Sequence, residues 1–211
     1  MKVSDLSIYA FLDPAGGKRG AIRSTRAKSA IVVIGVDDLE RIFVLYTWAD
    51  RAATEKIVER VFQANARWHP KRFGCEANAQ QSLFADSLSY AAKFKGQAIA
   101  LYPVMQPTKV TKEFRIRTIL QPIISEGRLF LQPHMHELRT ELQSFPMGTT
   151  VDLVDALASV CTLVPSRSTQ RRCDEEQDYL QQYLQESGLS EVAIALSLDE
   201  LARPIDSSFT N

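Results

Sequence analysis

Residues 29–48 read SAIVVIGVDDLERIFVLYTW. Two runs of β-branched and aromatic residues, 29–36 and 41–48, flank Asp37-Asp38-Leu39-Glu40, the composition of a turn between paired strands. The stretch therefore predicts a β-hairpin. Upstream, residues 8–12 (IYAFL) form a further apolar run that stops at Asp13-Pro14-Ala15-Gly16-Gly17, where proline and glycines close a strand and open a loop. Three strands in an antiparallel meander follow from this order.

Downstream the periodicity changes. Residues 53–68 set Ile57, Val58, Val61 and Phe62 on one face with charges opposite, the pattern of a helix packed on a sheet. A short strand at 72–77 (RFGCEA), a helix over about 80–94 with Phe84, Leu88, Ala91 and Ala92 inward, and a strand at 98–104 come next. Strand, helix, strand implies parallel pairing. Residues 111–124 read as a helix with Ile116, Ile119, Leu120 and Ile123 on one stripe, and Pro122 should end or bend it before Glu126-Gly127. A brief strand at 128–131, a short helix at 137–145 and an apolar helix at 151–164 complete the body.

A length of 211 residues suits one substantial core with an appendage, and 45% hydrophobic with 24% charged residues excludes a mainly disordered chain. We expect one domain over 1–165 and an acidic helical tail over 166–211, in which Tyr179, Leu180, Tyr183 and Leu184 form a narrow apolar stripe. The net charge of zero is a cancellation: residues 174–211 carry −8 and residues 1–173 carry +8. No apolar run approaches the roughly 20 residues that cross a bilayer, and no signal segment follows Met1, so a cytoplasmic protein without membrane contact is expected. Cys75, Cys161 and Cys173 lack metal-ligand spacing and read as reduced thiols.

Four carboxylates stand where the local pattern wants apolar or neutral residues. Asp13 ends the first strand, Glu76 ends the fourth, and Asp152 and Asp155 share a face of an apolar helix. Parallel strands finish at one edge of a sheet, where open α/β folds place their sites. If the late helix crosses that edge, all four acids converge, and hard divalent cations such as Mg²⁺ or Mn²⁺ relieve their repulsion. Two such ions catalyse phosphodiester hydrolysis in many proteins.

The order of elements and the position of the acids resemble the ribonuclease H-like nuclease fold. Within it, residues 112–130 (KEFRIRTILQPIISEGRLF) and 141–158 (ELQSFPMGTTVDLVDALA) resemble the nuclease domain of the large terminase subunit of tailed bacteriophages. The resemblance runs over about residues 9–163 and is carried by Lys-x-x-Arg-Ile, Gly-Arg-hydrophobic and Phe-Pro-x-Gly leading into Asp-x-x-Asp-Ala. It implies an α/β fold: a mixed five-stranded sheet, three antiparallel strands then parallel ones, flanked by helices. It also implies two Mg²⁺ or Mn²⁺ ions, with Asp13, Glu76 and Asp152 as metal-binding catalytic residues supported by Asp155. Glu76-Ala77-Asn78 matches the family's Glu-x-Asn. Family members often carry two adjacent aspartates where this chain has Val151-Asp152. No Gly-x-x-x-x-Gly-Lys-Ser/Thr loop occurs, so the family's packaging ATPase is expected on another chain or a removed segment.

The expected substrate is double-stranded DNA, and the resemblance adds the packaging ATPase, the small terminase subunit and the portal as partners in the cytoplasm of an infected bacterial host. Lys18, Arg19, Arg23, Arg26 and Lys28 crowd the loop after Asp13, and Lys109, Lys112 and Arg115 recur every three residues on one helix face, two groups suited to phosphate contacts. A solvated loop and helix face would look the same in sequence. No base-reading motif is present, so binding should ignore sequence. His69, His134 and His136 read as structural. Two competitors remain: a RuvC-like junction resolvase, which the Phe-Pro-x-Gly and Lys-x-x-Arg-Ile runs argue against, and a non-catalytic module that docks on DNA or the portal.

Overall fold

The chain's computed structural model describes residues 2–15, 28–76, 87–88, 90–93, 95–96, 99–106 and 109–165. Strands β1 (Ser7–Asp13), β2 (Ser29–Val36) and β3 (Ile42–Asp50) form the expected antiparallel meander, and β2 is buried along its whole length. Asp37 makes the hairpin turn: one of its carboxylate oxygens accepts from the amides of Leu39 (3.0 Å) and Arg41 (2.9 Å), the local bonding that lets aspartate initiate turns.

Helix α1 (Thr54–Trp68) leads into β4 (Arg72–Glu76), which pairs parallel to β1, and β5 (Leu101–Val104) pairs parallel to β4. The expected helix at 80–94 falls largely outside the described residues; positions 87–88, 90–93 and 95 are helical. Helix α2 (Lys112–Ser125) contains Pro122 near its end and closes at Glu126-Gly127, Gly127 having the positive φ of 65° that such a stop requires. Strand β6 (Leu129–Phe130), helix α3 (His136–Ser144) and helix α4 (Asp152–Cys161) follow.

One expectation needs correction: the sheet has six strands, in the order β5-β4-β1-β2-β3-β6. The brief strand expected at 128–131 is the sixth, joining the edge by pairing parallel to β3, with Phe130 stacked on Phe43 at 4.9 Å between ring centroids. The expected acidic tail at 166–211 lies outside the described residues.

Side-chain alternation along β1 splits the core in two. Ala10 and Leu12 join Ile31, Val33 and the apolar stripe of α1, Ile57, Val58, Val61 and Phe62, on one face. Tyr9 and Phe11 join Val32, Ile34 and the buried residues of α2, α3 and α4 on the other. Asp13 keeps the parity of Tyr9 and Phe11, so it emerges on the α4 face. On β4, Phe73 and Cys75 belong to the α1 face, which leaves Gly74 and Glu76 facing α4. A side chain at Gly74 would meet Phe11 at 2.7 Å and Leu163 at 2.9 Å, so the strand carries glycine where β1 and the segment after α4 close over it.

Candidate active site at the ends of strands β1 and β4

Leu12 pairs with Cys75 across the parallel β1/β4 ladder, so the next residues, Asp13 and Glu76, emerge side by side. Burial pushes the Asp13 pKa well above the usual carboxylate range; the negative charges of Asp155 and Glu76 add to the shift, and Lys112 opposes it.

Helix α4 supplies the other two acids. Asp155, only 6% exposed, sits one turn inside the helix and holds two cations from α2: Lys112 Nζ lies 2.7 Å from one oxygen and Arg115 Nη2 lies 2.5 Å from the other. Arg115 also donates from Nη1 to Ser159 Oγ at 3.1 Å, and the same buried hydroxyl accepts from Gln106 Nε2 at 3.1 Å. Burial works against the charge on Lys112, yet Asp155, and further off Asp13 and Asp152, raise its pKa above the ordinary lysine value. Asp152 opens α4 and accepts a hydrogen bond from the backbone amide of Lys28 at 3.1 Å.

Three of the expected acids, Asp155, Asp13 and Asp152, act on the charge of Lys112, and the fourth, Glu76, stands beside Asp13. The set consists of hard oxygen donors with more negative charge than Lys112 and Arg115 balance, which fits a divalent ion chemically. Among the described residues, no three His, Cys, Asp or Glu side chains are placed so that they could hold one metal ion together. Lys112 and Arg115 engage both oxygens of Asp155, so its carboxylate is saturated by protein cations.

The basic residues separate into three groups. Lys18, Arg19, Arg23 and Arg26 lie outside the described residues. Lys28 closes that stretch, and its ammonium pairs with Glu137 on α3. Lys109 is exposed, whereas Arg115, with its side chain 12% exposed, is turned into the protein toward Asp155. The expected helix face is therefore corrected: Lys109 precedes α2, and only Lys112 and Arg115, one turn apart at its start, face Asp155. His69, His134 and His136 are exposed.

One participant carried no sequence signal. Glu141 on α3, 2% exposed, accepts from the amides of Leu153 (2.9 Å) and Val154 (3.1 Å) and so caps α4 from a neighbouring helix. Burial raises its pKa, and the charge of Asp152 adds to the shift; the amides of Val154 and Leu153 and the side chain of Thr150 oppose it. Nothing in its local run, HELRTELQS, distinguishes it from a solvated acid, because the amides it serves lie more than ten positions away.

No protein-family model matches this chain, and no curated protein matches it in sequence. Solved structures do. The large terminase nuclease of thermophilic phage G20c superposes with a TM-score of 0.52 at 14% identity, over 77% of this chain and 84% of that one. The fold is that of the phage large-terminase nucleases. The P22 large terminase nuclease domain gives 0.51 at 13% identity, over 80% of this chain and 82% of that one. The HK97 bacteriophage large terminase gives 0.52 at 13% identity, over 75% of this chain but 40% of that longer one. With the mixed sheet and its flanking helices, the expected ribonuclease H-like fold is present.

Proposed function

We propose that this chain is a metal-dependent endonuclease that cuts double-stranded DNA with little sequence specificity, as in the cut that ends viral genome packaging. The observation that carries the reading is the convergence of Asp13, Glu76, Asp152 and Asp155, from two strands and a late helix, at the edge where parallel strands end. The terminase-like fold supports it.

Asp13, Glu76 and Asp152 would hold divalent Mg²⁺ or Mn²⁺, two ions in the full reading, with Asp155 in support. Bound there, such ions supply Lewis acidity to a phosphodiester. The chain's own groups do the rest. Arg115 fixes Asp155 through a buried ion pair and through Ser159. Lys112, on the rim with its side chain 44% exposed, is able to turn from Asp155 to a phosphate. Lys109 and the basic stretch from Lys18 to Lys28 would track the backbone of the duplex, adding affinity through counterion release. The partners of this reading are the packaging ATPase, the small terminase subunit and the portal, in the cytoplasm of an infected host.

The test is plasmid DNA incubated with Mg²⁺, Mn²⁺ or EDTA, beside the same incubations of Asp13→Ala. Cleavage with metal, none in EDTA and none by the variant is the expected result. Cutting that persists in EDTA, or in Asp13→Ala, overturns the reading. A parallel arm with four-way junction DNA separates it from a resolvase, which would prefer the branched substrate.

A further inference from the structure

Asp152 is the first residue of α4, and the frame around it comes mostly from α3. Glu141 reaches the amides of Leu153 and Val154, the two residues after Asp152, with one oxygen at 2.9 and 3.1 Å. One helical turn earlier on α3, Glu137 pairs with the ammonium of Lys28. The backbone amide of that same Lys28 donates to Asp152. A carboxylate at 2% exposure is costly unless it is hydrogen-bonded, and here one oxygen is satisfied by the start of the helix that bears two of the site's acids while the other, Oε1, is buried without a partner. The amides of a helix's first turn need partners, and the usual source is a side chain just before the helix; Val151, in that position, offers none.

We propose that Glu141 and Glu137 are positioning residues for Asp152, α3 acting as a brace that fixes this ligand from its helix amides on one side and through Lys28 on the other. The inference rests on the nuclease reading and names residues for the same site that the sequence pattern did not offer. It also joins two contacts in one residue: the ammonium of Lys28 pairs with Glu137 on α3, and its backbone amide donates to Asp152.

The experiment measures Mn²⁺ binding by titration calorimetry, and plasmid cleavage against Mn²⁺ concentration, in the full chain. Four variants are compared with wild type: Glu141→Ala, Glu141→Gln, Glu137→Ala, and Val61→Ala from the opposite face of the sheet as a destabilised control. All are measured at a temperature where thermal melts show them folded. Groups that orient metal ligands contribute about 10-fold to 100-fold in affinity. Glu141→Ala should weaken Mn²⁺ binding within that range and shift the cleavage curve to higher Mn²⁺ to match. Glu141→Gln, whose amide oxygen still accepts from both backbone amides, should recover most of the loss. Glu137→Ala should move binding in the same direction by less, and Val61→Ala should melt earlier with its metal curve unmoved.

Equal Mn²⁺ affinity in Glu141→Ala and wild type overturns the inference while leaving the nuclease reading intact. So does a weakening that Glu141→Gln fails to reverse, or one that Val61→Ala shares. A wild-type chain that neither binds Mn²⁺ nor cuts overturns both. Should Glu141→Ala fail to fold, Glu137→Ala, which breaks only a half-exposed pair, carries the test, and unchanged binding in it overturns the inference.

Discussion

The two faces of the sheet are covered in opposite ways. Under α1 the core is apolar throughout: Leu12, Ile31 and Val33 meet Ile57, Val58, Val61 and Phe62. Under α2, α3 and α4 an equally apolar layer gives way, at the carboxyl ends of β1 and β4, to buried acids, an inward arginine and a bonded serine. The first face follows a single rule, removal of apolar area from water. The second adds groups that resist burial, most of them held by partners such as the Arg115–Asp155 pair. The contrast teaches where to look for function: the charged end of one face has a stability cost that the other face does not share.

The largest effect expected from breaking this contrast is at Asp13. Asp13→Asn should abolish metal-dependent cleavage of plasmid DNA while raising thermal stability at neutral pH. The sign follows from the raised pKa: a buried acid whose folded pKa exceeds its unfolded one contributes fully below about pH 4, the unfolded value, and that contribution is lost as pH rises through the folded value. Calorimetric melts from acid to neutral pH should show the variant's advantage growing with pH. An advantage that shrinks with pH would mean the site does not strain Asp13.

Next in size is a matched pair. Arg115→Leu leaves Asp155 buried with one cation instead of two and should cost about 3–5 kcal/mol, the range for removing one partner of a buried pair. Phe62→Ala, on the α1 face, should cost a similar amount, about 3–5 kcal/mol for an emptied aromatic site. Equilibrium urea unfolding measures both, and cleavage separates them. At temperatures where both are folded, Arg115→Leu should cut poorly and Phe62→Ala should cut as wild type does. Equal activity in the pair would erase the distinction between the faces.

Smaller still is the effect of Lys112, the cation at the centre of the acids. Lys112→Met removes a charge that an incoming ion must compete with, so Mn²⁺ binding should tighten even as cleavage falls; unchanged affinity would show that Lys112 does not occupy the ion's place. The smallest expected change lies at the periphery. Neutralising two of Lys18, Arg19, Arg23 and Arg26 should reduce the slope of log affinity against log salt by about 0.9 for each phosphate that the chain then leaves to its counterion. A slope that stays put removes this stretch from the DNA surface.

Most of the fold was legible because its signals are local. The meander, the stripe of α1 and the parallel return through β4 follow from runs of β-branched residues, a 3.6-residue period and turn residues, all readable within a few positions. Asp155 was legible for a related reason, since an acid amid Leu153, Val154, Ala156 and Leu157 contradicts its surroundings. What was not legible depends on pairing across the chain. Arg115 reads as a phosphate contact until α4 is laid against α2 and supplies Asp155, forty positions later. Glu141 reads as solvated until the start of α4 arrives beside it. Strand β6 gains its place only from β3, and its two residues cannot announce that alone.

The parallel pairing of β1 with β4 has a further consequence, in the order of biosynthesis. Of the three, Asp13 is synthesised first, its neighbour Glu76 only after the meander and α1 have been made, and Asp152 later still, after α2 and α3. Contacts so distant in sequence form late, because loop-closure entropy must be met before they bring any gain. A nascent or truncated chain that stops before α4 thus has the strands that carry Asp13 and Glu76 but lacks Asp152 and Asp155.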